Sequence, residues 1–136
     1  MGMISSSTPP TRSGKIVAAC APGEMHQIGL LMLVVMLRWR GWDVKYLGQD
    51  LNLDRLHEAL SPLHPRMFLF TATRAESAKN LKNISSEIEK FPEPHPLLLL
   101  GGQAFKEYRL PGEIAAVYVE GTPTDAVETI EKLMLD

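Results

Sequence analysis

The chain has 136 residues, 45% of them apolar and 22% charged, with a formal net charge of -2. That is enough to bury a single core without staples, and the balance offers no electrostatic grip on nucleic acid or an anionic membrane surface. The lone cysteine, Cys20, excludes a disulfide framework within the chain and fits a reducing cytoplasm, and the longest apolar run, 28–37, is too short to span a bilayer.

Residues 1–14 are dominated by serine, threonine and proline without periodicity or a signal-peptide core. They predict a flexible leader or linker, with the folded domain over 15–136. From Lys15 onward strand and helix alternate. Residues 16–20 predict a first strand, and 25–40 a helix that is apolar almost all round and so largely buried, ended by Gly41. A second strand is predicted over 42–47 and a second helix over 53–63, with Leu53, Leu56, Ala59, Leu60 and Leu63 on one face. A third strand covers 67–70, and a third helix, more polar and lying at the surface, covers 75–91. After three prolines, a fourth strand over 97–100 stops at Gly101-Gly102. A short helix over 104–108, a fifth strand over 115–119 and a helix over 123–135, capped by Thr122, complete the pattern.

Five unbroken apolar strands alternating with helices imply a parallel sheet covered on both faces. Right-handed crossovers favour a flavodoxin-like, doubly wound α/β order, with ligands outside the carboxyl ends of the strands, at the switch point. Three loops meet that edge: 21–29, 71–75 and 101–104. In the first, Ala-Pro-Gly-Glu-Met-His-Gln-Ile-Gly, His26 lies two residues from Glu24, a carboxylate able to orient an imidazole. Gly29, three residues on, is to share a helix face with His26 and open a slot beside the ring. Gly101 and Gly102 open a second slot, and Thr71 and Thr73 place hydroxyls between the two. The glycine spacing of a dinucleotide fingerprint is absent, as are a P-loop ending, the clustered carboxylates of a phospho-acceptor domain and a flavin loop rich in serine and threonine.

Glu24-x-His26-x-x-Gly29, Thr71-Ala72-Thr73 and Gly101-Gly102 together resemble the signature of cobalamin-binding domains, over Lys15 to about Leu133. The glutamate form, with Gly-Trp-Asp-Val-x-Tyr-Leu-Gly at 41–48 and Leu-Gly-Gly-Gln-Ala-Phe at 100–105, is most similar to the domain in MerR-type light-sensing regulators. The resemblance implies cobalamin (adenosyl-, methyl- or hydroxocobalamin) held base-off, with His26 on cobalt and Glu24 hydrogen-bonded behind it. Gly29, Thr71, Thr73, Gly101 and Gly102 would then line a channel for the displaced nucleotide tail, and Met25 and Gln27 would lie against the corrin. It implies a sensor or regulatory domain, not itself an enzyme, with a helical cap domain, a partner protein or self-association over the upper corrin face. Neither nucleic acid nor membrane is bound by this unit. The alternative is a corrinoid carrier or small cobalamin-binding subunit of a methyltransferase or carbon-skeleton mutase; haem on the same histidine is a weaker third. The family more often has aspartate at Glu24, and serine and leucine at the two threonines. His57, His64 and His95 have no shared ligand spacing, Cys20 reads as a small buried hydrophobe, and Arg38 and Arg40 read as a solvated helix end.

Overall fold

In the computed structural model, residues 9–49, 51–111 and 115–135 are described, so the first eight residues of the expected leader lie outside that set. The apolar runs become five strands: β1 (Lys15–Cys20), β2 (Asp43–Gly48), β3 (Pro65–Thr71), β4 (Leu97–Gly101) and β5 (Val117–Val119). They pair in the order β2-β1-β3-β4-β5, every pair parallel, which is the expected doubly wound arrangement. Alternation along each strand divides the core in two. Val17, Ala19, Phe68, Phe70, Leu98 and Leu100 pack with helices α2 (Leu56–Leu60), α3 (Ala75–Lys79) and α4 (Ile84–Ile88). Ile16, Ala18, Cys20, Met67, Leu69 and Leu99 pack with α1 (Ile28–Trp39) and α5 (Pro123–Leu135).

Local chemistry sets the helix ends. Trp42 N–H donates to the Leu37 carbonyl and Gly41 N–H to that of Arg38, with Gly41 at φ +94°, a left-handed C-terminal cap. Thr122 caps α5 as expected. Its hydroxyl accepts from Asp125 N–H while its own N–H donates to the Asp125 carboxylate, a reciprocal capping box followed by Pro123 in the first turn.

Four expectations are corrected. The helix expected over 75–91 is two five-residue helices, α3 and α4, separated by a turn. Asn80 and Asn83 interrupt it, and amides 80, 81, 82 and 84 donate three residues back, as in tight turns. Its inner face is also well buried, at Ser77, Ala78, Leu81, Ile84, Glu87 and Ile88. The helix over 53–63 keeps only Leu56–Leu60 as α-helix, flanked by 3-10 turns at Leu53–Arg55 and Ser61–Leu63. A 3-10 turn over Gln103–Lys106 replaces the short helix after β4. Arg38 is not a solvated helix end: its Nη2 donates to the Val44 carbonyl at 2.8 Å and its Nη1 is buried.

Thr11 and Arg12, late in the expected leader, lie against the domain. Both amides donate to the Gly41 carbonyl, and the Arg12 guanidinium stacks 5.1 Å from the Trp42 ring centre. Glu131 of α5 accepts from Trp42 Nε1 and Arg40 Nη1 on the same side.

Candidate functional site

The carboxyl ends of β1, β3 and β4 carry the candidate residues to one edge of the sheet. Helix α1 starts at Ile28, not at residue 25, so His26 sits in the loop and shares no helix face with Gly29. The backbone there is committed elsewhere. Glu24 Oε2 accepts the His26 N–H at 3.0 Å, the Met25 carbonyl accepts from Gln49 Nε2 at 2.8 Å, and Tyr46 donates its hydroxyl to the Gln27 side chain. Residues Met25–Gln27 are thus held by Glu24 of their own loop and by Tyr46 and Gln49 at the end of β2. Tyr46 and Gln49 were not assigned to the site in the sequence: Tyr46 reads there only as part of the second strand's wording, and a lone glutamine after a strand carries no recognisable pattern.

Glu24 is 1% exposed, yet both of its carboxylate oxygens accept hydrogen bonds. Oε1 accepts the Thr73 amide at 2.8 Å, and Oε2 accepts the Thr73 hydroxyl at 2.7 Å as well as the His26 amide. Burial pushes this carboxyl upward, but the Thr73 hydroxyl and amide, the His26 amide and the Ser77 hydroxyl outweigh it and bring the value down to about 2. The anion is stored inside the protein and fully partnered. Its Oε2 lies 3.3 Å from His26 Nδ1, while the imidazole remains 72% exposed. With Nδ1 turned inward to oxygen, Nε2 is the nitrogen offered outward, which is how proteins prepare a metal-binding histidine.

Beside the ring, a cleft of about 590 Å³ opens between α1 and α5 above β3 and β4. Met25, His26, Gln27, Gly29, Thr71, Thr73, Gly101 and Gly102 all line it, so eight of the nine expected site residues converge there; Glu24 stands behind His26 instead. Leu33, Leu69, Val119 and Ala126 line it too and were not singled out in the sequence, because apolar residues of a helix or strand look alike whether they meet a neighbour or a cleft. A Cβ added at Gly29 would meet nothing within 4 Å, so the missing side chain leaves open space beside the histidine. Of the glycine pair, Gly102 is the constrained one. Its φ is +106°, and a Cβ would collide with the Ala72 carbonyl oxygen, whereas at Gly101 it would make ordinary contact with Val119. Among the described residues Thr71 Oγ1 is buried on the cleft wall with only the weakly accepting Cys20 thiol beside it, so a ligand heteroatom would satisfy it better.

A histidine outside the carboxyl ends of a doubly wound sheet, backed by a buried carboxylate and adjoining a mostly apolar cleft, defines a ligand-binding site at the switch point of the sheet. The family comparison gives that ligand. The model of the B12 binding domain matches residues 14–131, and the chain belongs to that family: it is a cobalamin-binding domain. Among curated relatives, it is 24% identical over 115 residues to the HTH-type transcriptional repressor CarA of Myxococcus xanthus, covering 85% of this chain and 40% of that one. To the repressor CarH of the same organism it is 30% identical over 104 residues, covering 76% and 34%. The chain therefore spans well under half the length of these relatives.

Solved structures share the fold. The methanol:cobalamin methyltransferase complex MtaBC of Methanosarcina barkeri superposes with a TM-score of 0.73 at 24% identity, over 96% of this chain and 50% of that one. The monomethylamine corrinoid protein of the same organism gives 0.72 at 20%, over 89% and 58%. A cobalamin-binding protein of Desulfitobacterium hafniense gives 0.70 at 17%, over 88% and 58%.

The remaining polar candidates stay apart. His57 packs edge-on against Phe91, and no group of three or more His, Cys, Asp or Glu side chains suited to a metal ion occurs among the described residues. None of the described helices is long and apolar enough to cross a membrane.

Proposed function

We propose that residues 15–136 hold cobalamin base-off, with His26 Nε2 on cobalt, and serve as a cytoplasmic sensor or regulatory module. The carrying observation is the pairing of an exposed imidazole with a buried, fully hydrogen-bonded Glu24 at the mouth of the cleft. Glu24 orients the ring. Gly29 leaves room for the displaced nucleotide tail, Thr71 offers it a buried hydroxyl, Thr73, Gly101 and Gly102 line its path, and Met25 and Gln27 flank the corrin. When bound, cobalamin supplies a cobalt centre whose upper ligand is labile to light or to a partner. The chain's own residues only bind, orient and exclude water, so the module is not itself an enzyme.

The regulatory reading is supported by similarity to two transcriptional repressors at 24% and 30% identity. A helical cap, a partner protein or a second copy would cover the upper face, and nucleic acid would be bound by another unit, since this one carries a net charge of -2. The carrier reading draws on the shared fold with the methanol:cobalamin methyltransferase complex and the monomethylamine corrinoid protein.

The two readings part under illumination. A regulatory module loaded with adenosylcobalamin in darkness changes its assembly mass by light scattering after green light, and the hydroxocobalamin form does not. Unchanged mass, together with methyl transfer to or from the bound corrinoid when a methyltransferase is supplied, contradicts the sensor reading in favour of the carrier.

A further inference from the structure

We propose that Asn80, at the break between α3 and α4, is a positioning residue that holds the histidine loop in its binding conformation, with Gln49 gripping the same loop from the other side. The loop opens on a tight turn. Glu24 N–H donates to the Ala21 carbonyl at 2.9 Å, Pro22 and Gly23 are the central residues, and Gly23 has φ +86°. Proline followed by a left-handed glycine is the pattern of a type II turn. That turn bonds its first carbonyl and leaves the Pro22 carbonyl without a partner of its own. Asn80 supplies one, its Nδ2 donating to the Pro22 oxygen across 58 positions of sequence. The approach is close: a Cβ at Gly23 would lie 3.1 Å from Asn80 Nδ2.

Asn80 meets the turn where the chain leaves the helix. It caps α3, and the amides of residues 80, 81, 82 and 84 donate three residues back. The buried positions 78, 81, 84 and 88 keep a spacing that would suit one continuous helix, so the core does not call for the break. The bond to Pro22 accounts for it. On the far side of the loop, Gln49 Nε2 donates to the Met25 carbonyl at 2.8 Å, and between the two grips Glu24 takes the His26 amide. Neither Asn80 nor Gln49 lines the cleft, so each acts on a ligand only through the loop that carries His26. With one grip gone, the loop leaves its binding conformation for part of the time, and binding weakens by the fraction so lost.

The test uses Asn80→Asp, which keeps the shape and removes the donor, and Gln49→Met. In the full chain without ligand, hydrogen exchange at the His26 amide reports the loop, and exchange at Val17, paired on both sides within the sheet, reports the core. Each variant is expected to speed exchange at His26 about three- to tenfold, the size of one lost hydrogen bond, and to leave Val17 unchanged. In stopped-flow mixing with sub-saturating hydroxocobalamin, association is expected to slow by the same factor while dissociation stays as in wild type. Unchanged exchange at His26 overturns the proposal. Equal acceleration at His26 and Val17 also overturns it, because Asn80 would then stabilise the fold at large. Unchanged association with faster dissociation does so too, as the mark of a direct ligand contact. The mixing experiment rests on the cobalamin reading, but the exchange experiment does not. If hydroxocobalamin keeps its free spectrum with wild type, that reading fails, and exchange at His26 still decides the role of Asn80.

Discussion

At Glu24 a single carboxylate organises the site. Its folded value near 2, against an ordinary 4.5, means the folded protein favours the ionised form. A lowered carboxyl stabilises the fold above its unfolded value, and that contribution disappears as the pH drops through the folded one. The difference corresponds to roughly 3 kcal/mol. Urea unfolding of wild type is thus expected to lose about that much stability between pH 5 and pH 2. Glu24→Gln should remove this part of the pH dependence. At neutral pH it should cost about 1–3 kcal/mol, because an amide cannot accept at both oxygen positions and leaves a buried donor unpaired. An identical acid slope in wild type and variant contradicts the assignment. The Glu24-x-His26 spacing made this pair legible in the sequence. The turn of the Thr73 hydroxyl toward Glu24 was not, since the two lie 49 positions apart and meet only when β1 and β3 pair.

Among the elements, α1 separates ligand-binding from stability most cleanly. Gly29 lies in its first turn, where glycine weakens a helix by roughly 1 kcal/mol relative to alanine. Nothing surrounds its missing side chain, so Gly29→Ala should raise the melting temperature by a few degrees while weakening cobalamin binding. A rise in both contradicts the view that the space beside His26 serves the ligand. Gly102→Ala should behave oppositely, destabilising by about 1–3 kcal/mol with or without cobalamin, because its backbone conformation and the Ala72 carbonyl leave no room. Thermal melts of the two ligand-free variants would move in opposite directions.

Periodicity found every strand and the long helices α1 and α5, whose apolar residues recur without interruption. It misplaced the start of α1, where Gln49 Nε2 takes the Met25 carbonyl that a helix beginning at residue 25 would have offered to the Gly29 amide. It also joined α3 to α4, since 78, 81, 84, 88 and 91 keep a helical spacing across a turn set by two asparagines.

For the molecule as a whole, the two ends of the sheet carry separate tasks. The amino-end staple joins Arg12, Arg40 and Trp42 to Glu131, while the carboxyl edge holds the histidine and the cleft. Glu131→Ala leaves Trp42 Nε1 without its partner and should cost about 1–3 kcal/mol in chemical denaturation. Cobalamin affinity, measured on the same protein, should not move; a parallel loss would show that the two ends are coupled. The overall order of the sheet followed from the sequence because alternating strand and helix leaves few right-handed solutions. The cleft did not, because it exists only where α1 and α5 diverge above β3 and β4.

The most direct test of the central claim is electron paramagnetic resonance of the protein loaded with cob(II)alamin, with its histidines labelled with 15N. An axial nitrogen from His26 turns the triplet splitting of each cobalt line into a doublet, and His26→Ala abolishes the doublet. Retention of the 14N triplet in labelled wild-type protein would mean that the cofactor keeps its own base on cobalt, and the His26 assignment would be wrong.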